Sequence, residues 1–364
     1  MKRLGSIQRL RAVAALSVAL FHACQWSGVD FAVGAAGVDI FFVISGFVLW
    51  TAAEGAAITP GAFLKARFTR VAPLYWLATL AVTALALWWP KAMSVAHFEP
   101  IHLALSLLFI PHNDPIGDAF PMLASGWTLT YEAFFYVAFA IALAGPRETR
   151  LRTLSCIVLI CSLLGFGYHV LFPLGANPIL LEFLIGVGLA RLWKAGDIRG
   201  LKPRWGWGAI ALGTMMFAGL QIGGVRDDFW RPFLWAPPAT LIVLGALKLE
   251  AAGRLKFSRI GRALEGLGDA SYSLYLCQLP VICVAAFLTL GLSPWIRVPL
   301  SFGFAVVAGL VCYRWVERPI ARAPPRVGSA LAARRLQALA MHRHGRGLGP
   351  PEQEALTAVD PDLA

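Results

Sequence analysis

The sequence predicts an all-α polytopic membrane protein with about ten transmembrane helices and both termini cytoplasmic. Three observations point there. Of 364 residues, 58% are hydrophobic and 14% charged, against roughly 45–50% and 25% in soluble domains, and the mean hydropathy is +0.67. Apolar runs long enough to cross a hydrocarbon layer of about 30 Å recur along most of the chain. The net charge is +12, and its cations sit between the apolar runs, where membrane topology accounts for them and no nucleic-acid partner is needed. An ordinary soluble enzyme is excluded.

The first span, 7–25, has Lys2 and Arg3 before it and Arg9 and Arg11 in its opening turns, ahead of an apolar run that ends near Ala23. A cleavable signal peptide is the alternative, but His22 interrupts the run and many spans follow. The second, 36–53, is rich in small residues that suit close helix packing. The third, 72–90, is opened by Lys65, Arg67 and Arg70. The stretch 101–110 amounts to about 15 Å of helix and is bounded by Pro100 and Pro111, so it is read as a re-entrant or interfacial helix inside an outer loop, 91–126. The run 127–145 starts at Trp127, an aromatic of the kind that marks membrane interfaces. Runs at 154–172, 178–193, 206–223, 232–248, 270–290 and 297–315 complete the set.

The basic connections are the N-terminus, 65–70, Arg147 to Arg152, Arg191 to Arg204, Arg254 to Arg262 and the C-terminal tail. With 101–110 not crossing, all of them fall on one side, as the positive-inside rule requires. Residues 1–322 therefore form the membrane domain. Residues 323–364, rich in Ala, Arg, Gly and Pro, predict a poorly ordered cytoplasmic tail. The six cysteines lie in or beside apolar segments with no CxxC pair and no His at ligand spacing, so neither a disulfide framework nor a metal site is expected. No internal repeat is evident.

Ionisable groups at membrane depth are costly and mark functional candidates, with satisfied structural pairs as the ordinary alternative. His22, Asp39, Glu132 and Glu182 stand out. Straight helices put His22 roughly 22 Å above the cytoplasmic edge, Glu132 at a similar height and the other two somewhat higher, which predicts one layer. A neutral His beside a carboxylate can take a proton from an attacking hydroxyl. Arg11 and His22 share one helix face. Arg67 and Arg70, three residues apart, also share a face, and their guanidinium forks suit phosphate oxygens, although such clusters equally serve topology and anionic lipid. Ser45 in the second span is explained by packing, since no base lies nearby in sequence.

The segments Gln8-Arg-Leu-Arg-Ala-Val-Ala-Ala-Leu with His22, GVDIFFVISGF at 37–47, RFTR at 67–70, SGWTLTYEAFFY at 125–136, LLEFLIGVGLA at 180–190, GDASYSLYL at 268–276 and YRWVERP at 313–319 resemble, in order, the membrane acyltransferase-3 family. The wording at 8–16 and 125–136 resembles the branch that acetylates bacterial exopolysaccharides of the succinoglycan type. The resemblance implies ten helices in the bacterial inner membrane, acetyl-CoA as cytoplasmic donor, no metal, and an O-acetyltransferase acting on an extracytoplasmic or lipid-linked saccharide hydroxyl. It further implies His22 as catalytic, with Glu132 or Asp39 orienting it. Arg67 and Arg70, together with Arg11 and Ser45, would hold the donor, and Trp127 and Glu182 the substrate. The family's usual histidine after SLYL is replaced here by Gln278. Transient acetylation of His22, a saccharide transporter or flippase, and a scaffold within polysaccharide-synthesis machinery remain the alternatives.

Overall fold

A computed structural model describes residues 3–53, 58–167, 178–224, 231–255 and 258–322, with Met1–Arg318 forming one compact unit. The expected tail at 323–364 lies outside the described residues. All regular elements among the described residues are helical: α1 Gly5–Gln25, α2 Gly37–Ala53, α3 Pro60–Trp88, α4 Pro100–Leu107, α5 Trp127–Ala144, α6 Arg150–Gly167, α7 Leu180–Ala195, α8 Asp197–Gly200, α9 Pro203–Ile222, α10 Arg231–Ala251, α11 Arg259–Asp269, α12 Ser271–Leu288 and α13 Pro294–Cys312. A π-helical turn, Tyr313–Glu317, follows α13. Helices at Gly5–Gln25, Ala32–Ala53, Pro60–Trp88, Ala124–Ala144, Arg231–Ala251, Ser271–Leu288 and Pro294–Arg322 are long and apolar enough to cross a membrane. The protein is a polytopic all-α membrane protein.

Long-range hydrogen bonds fix which helix ends lie together. At the end carrying the N-terminus, Arg3 bridges to Asp269 at 2.6 Å, Arg9 to Glu265 at 2.8 Å, and the Ser6 N–H donates to Glu250 Oε2 at 2.6 Å. The end of α10 and all of α11 therefore sit beside the start of α1. At the far end, Arg297 Nη2 donates to Trp26 O at 2.9 Å and the Val33 N–H to Gln221 Oε1 at 2.8 Å. The basic segments these contacts reach, the N-terminus and α11, thus lie at one end.

α3 begins twelve residues before the predicted span, at Pro60, because Thr59 caps it by accepting from the Ala62 N–H at 3.3 Å and proline suits the first helical position. Arg67 and Arg70 are thus on a helix continuous with the span. Its 29 residues amount to about 43 Å of helix.

The short helix α4 turns inward. Tyr75 Oη donates to Ser106 O at 3.0 Å, Trp76 Nε1 to Leu107 O at 2.8 Å, and the Met122 N–H to Ser106 Oγ at 2.8 Å. Tyr75 lies fifteen residues into α3, about 22 Å from its start, so the segment returns to the middle of the bundle. Phe109, at φ 57°, makes the turn after α4 and is held against Tyr75 and Phe68, with ring centroids 4.7 and 5.8 Å away. α5 therefore starts at mid-depth, with Gly126 against the Tyr75 ring. His102 and His112, whose ring nitrogens are 2.7 Å apart, fasten α4 to the chain after it, and His112 Nδ1 donates to Ile110 O at 2.8 Å.

α2 and α7 cross at two glycines. A Cβ on Gly46 would stand 2.0 Å from Phe183 O, and one on Gly186 would stand 2.1 Å from Val43 O, so only glycine permits this approach.

Two predictions follow from these contacts. Gly186→Val should lower the unfolding midpoint of detergent-solubilised protein by an amount equivalent to about 1–3 kcal/mol or more. Gly188→Ala, with nothing within 4 Å of its Cβ position, should leave it unchanged. Burial, then the nearby His112, holds His102 below the ordinary value of 6.5. The unfolded segment binds more protons there, so the docking of 100–122 is fully stable above about pH 6.5 and weakens as pH falls. Hydrogen exchange at pH 5.5 should be faster in this segment than at pH 7.5 after correction for intrinsic rates.

Candidate active site

In the half of the bundle nearer the N-terminus, α1, α2, α3, α5 and α12 enclose a cavity of about 130 Å³. Arg11, Arg67, Arg70 and Glu132 line it with Ser45 and Tyr272. Arg11 Nε donates to Ser271 Oγ at 3.1 Å, which ties α1 to the first residue of α12. Tyr136 Oη donates to Glu132 Oε1 at 2.5 Å, one turn along α5, and Tyr272 Oη donates to Val71 O at 2.7 Å. Tyr275, also on the wall, receives a hydrogen bond from Thr128 Oγ1 at 3.0 Å.

Charge balance in this cavity is incomplete. Arg11 interacts electrostatically with Arg70, Glu132 and Glu317, and Arg67 with Arg70 and Glu132. Three guanidinium groups formally face Glu132 and Glu317, since Asp269, the third carboxylate that acts on Arg11, is already bridged to Arg3. Glu317 is committed to α12, accepting from both the Ser273 N–H and the Ser273 hydroxyl. Arg67 Nε is buried with no hydrogen-bond partner among the described residues, its guanidinium 5.6 Å over the Phe63 ring. An unsatisfied buried N–H costs about 1–3 kcal/mol, more on a charged group. The arrangement suits an anion with several acceptor oxygens.

His22 is elsewhere. Eleven residues beyond Arg11, it lies about 16 Å further along α1. Its ring is 4.8 Å from that of Phe21, and its Nδ1 is 3.3 Å from Gln25 Oε1. Since Oε1 only accepts, Nδ1 donates, and a neutral ring keeps Nε2 as the acceptor. The carboxylates expected beside His22 are engaged in other contacts. Asp39 is wholly buried and takes a two-point bond from Arg231, Nη2 to Oδ2 at 2.8 Å and Nε to Oδ1 at 3.2 Å. Arg231 Nη2 also donates to Ala35 O at 2.8 Å, and its guanidinium stacks 4.8 Å over Trp235. Glu182, wholly buried, lies against Asp39.

The predicted single layer of His22, Asp39, Glu132 and Glu182 therefore does not form. Glu132 sits at the level of the arginines because α5 begins at mid-depth. Straight-helix counting from an outer membrane surface placed it too far from the N-terminal end. Trp127 is inside the bundle for the same reason, packed edge-on against Phe42 and Tyr131 at 6.3 and 5.8 Å. Gln278 is wholly buried, with neither amide atom partnered among the described residues.

Sequence reading missed Tyr136, Tyr272, Glu317 and Arg231. Tyr136 was detectable in principle, one helical turn after Glu132. Glu317 lies in the quoted YRWVERP run, on a π turn of the kind frequent at functional sites. Arg231 pairs with a residue 192 positions away and left no local signal.

The profile of the acyltransferase domain family matches residues 4–314. The exopolysaccharide production protein ExoZ of Rhizobium meliloti (strain 1021) is 36% identical over 331 residues, which cover 86% of this chain and 99% of ExoZ. The peptidoglycan O-acetyltransferase OatA of Listeria monocytogenes is 23% identical over 88% of this chain and 56% of its own length. The O-acetyltransferase OatA of Staphylococcus aureus (strain NCTC 8325 / PS 47) is 25% identical over 87% of this chain and 57% of its own. The chain thus spans a little over half of these two relatives. No solved structure matches it.

Asp39→Asn should destabilise the detergent-solubilised protein by about 1–3 kcal/mol, because it removes the two-point charged bond between α2 and Arg231. Arg3→Ala, which removes a pair whose arginine is 56% exposed, should cost less than about 1 kcal/mol in the same thermal unfolding measurement.

Proposed function

The chain belongs to the acyltransferase domain family, and from that premise we propose that it moves an acetyl group from cytoplasmic acetyl-CoA to a saccharide hydroxyl at the outer face of a bacterial inner membrane. The acceptor is an extracytoplasmic or lipid-linked saccharide, in the first instance exopolysaccharide, as the printed name of ExoZ suggests. The observation that carries the donor assignment is the convergence of three guanidinium groups, from half-buried Arg11 and Arg67 and exposed Arg70, on one cavity wall, with Arg67 Nε buried and unpartnered among the described residues. Loop charge puts this end of the bundle in the cytoplasm. Arg67 and Arg70 hold the phosphates of coenzyme A. Glu132, held by Tyr136, keeps the guanidinium groups in place, so its role here is to position the donor site and not to orient His22. A cavity of about 130 Å³ is below the usual 300–1,000 Å³ of ligand sites, so it takes only part of the donor. The thiol arm then extends along α1 toward His22.

At His22 the hydroxyl proton passes to Nε2 as the acceptor oxygen bonds to the thioester carbonyl carbon. The carbon–sulfur bond breaks, the sulfur leaves with the proton from His22, and coenzyme A departs on the side it entered. Gln25 holds the tautomer that leaves Nε2 free to accept. Acetyl transfer through His22 itself fits the same positions.

A transporter reading draws on the buried Asp39, Glu182 and Arg231, since intramembrane charge also marks substrate paths. Transport alone releases no thiol from acetyl-CoA. In membranes given labelled acetyl-CoA, His22→Ala should reduce label in saccharide and free thiol release by about a thousandfold or more, with the protein still present and folded. Turnover retained in that variant would contradict the assignment.

A further inference from the structure

At the opposite end of α1 from the arginine cavity lies a second, larger one of about 400 Å³. His22 lies just behind its wall, in contact with Phe21 and Gln25, which line it together with Asp30, Phe31, Arg231 and Trp235. We propose that this cavity holds one pyranose unit of the acceptor and presents its hydroxyl to His22. The proposal rests on the reading above and adds to it a place and a set of contacts for the saccharide.

The cavity is built on a fastened floor. Ser17 Oγ donates to Gly34 O at 3.0 Å, the Val33 N–H to Gln221 Oε1 at 2.8 Å, and Arg231 Nη2 to Ala35 O at 2.8 Å. Three helices thereby hold the turn at 32–36, and α2 holds Arg231 through Asp39. Its volume lies within the about 300–1,000 Å³ range of small-molecule sites. The lining combines flat apolar rings with an amide, a carboxylate and a guanidinium. Aromatic faces cover the C–H faces of a sugar ring, while Gln25 and Asp30 offer acceptor oxygens to its hydroxyls. This wall carries one carboxylate, Asp30, and one guanidinium, Arg231, where the arginine cavity gathers three guanidinium groups, which separates the two cavities chemically. The two lie at opposite ends of one helix, so donor and acceptor approach His22 from different directions.

The test uses the full-length protein in nanodiscs, acetyl-CoA, and as acceptor the exopolysaccharide of the cell that carries it, stripped of acyl groups with mild base. Asp30→Asn weakens a hydroxyl contact, and Ala32→Phe fills the cavity from its floor. Each should raise the KM for the polysaccharide about tenfold or more and leave the KM for acetyl-CoA and its thermal protection of the protein within about twofold. An unchanged polysaccharide KM in both variants overturns the cavity assignment while transfer itself stands. Loss of acetyl-CoA protection in either variant also overturns it, since the cavity would then serve the donor or the fold. A wild-type protein that binds acetyl-CoA but acylates no stripped polysaccharide overturns the acceptor class and this inference with it. A wild-type protein that does not bind acetyl-CoA defeats the underlying function instead.

Discussion

Arg11 and Arg67 carry charge into a bundle whose walls are otherwise largely apolar, with Arg70 on the exposed rim of the same cavity, and the cost of holding charge there governs what surrounds them. Glu132 and Glu317 supply two carboxylates, each held by a hydroxyl, Tyr136 on one and Ser273 on the other. To bring Glu132 to this depth the chain must carry the start of α5 into the bundle, and the inward fold of α4 does so. The hydrogen bonds from Tyr75 and Trp76 to Ser106 and Leu107 are therefore part of the site's support, although they lie outside its lining. The formal excess of one guanidinium makes a bound anion the natural completion of the arrangement.

α1 relates the two ends. Arg11 belongs to one cavity, Phe21 and Gln25 belong to the other, and His22 lies between these last two. A rigid helix sets their separation at about 16 Å, so a donor bound at the arginines needs an extended arm to reach His22. The far cavity depends on a second buried charge group, in which Arg231 joins α10 to α2 through Asp39 and supports the turn at Ala35. Polar contacts thus hold each end of the bundle, while α2 and α7 cross by close backbone packing at Gly46 and Gly186, with the Phe42 and Phe183 rings beside the crossing.

Much of the fold was legible because hydropathy reports a one-dimensional constraint, the thickness of the bilayer. Runs such as 7–25, 36–53 and 270–290 became α1, α2 and α12 with boundaries shifted by at most two residues. The early start of α3 was masked by Lys65, Arg67 and Arg70, which lower hydropathy without breaking a helix. The site was legible in its residue types and less so in its geometry. Arg11, Arg67, Arg70 and Ser45, grouped in the sequence reading as donor residues, line one cavity, and Glu132, expected instead beside His22, lines it with them, because its level depends on how far the loop 91–126 turns inward, which no local pattern records. The pairing of Asp39 with Arg231 is likewise tertiary, and so Asp39 could be recognised as buried without its partner being named.

The most direct test of the account is whether the arginine cavity binds the donor. Acetyl-CoA and free coenzyme A should raise the unfolding temperature of the purified protein in a concentration-dependent way, since a ligand that binds only the folded state stabilises it by about 2.7 kcal/mol at a hundred times its Kd. Arg67→Ala with Arg70→Ala should abolish most of that protection without changing the unliganded midpoint by more than a few degrees. Full protection in the double variant, or none in the wild type at millimolar donor, would contradict the account.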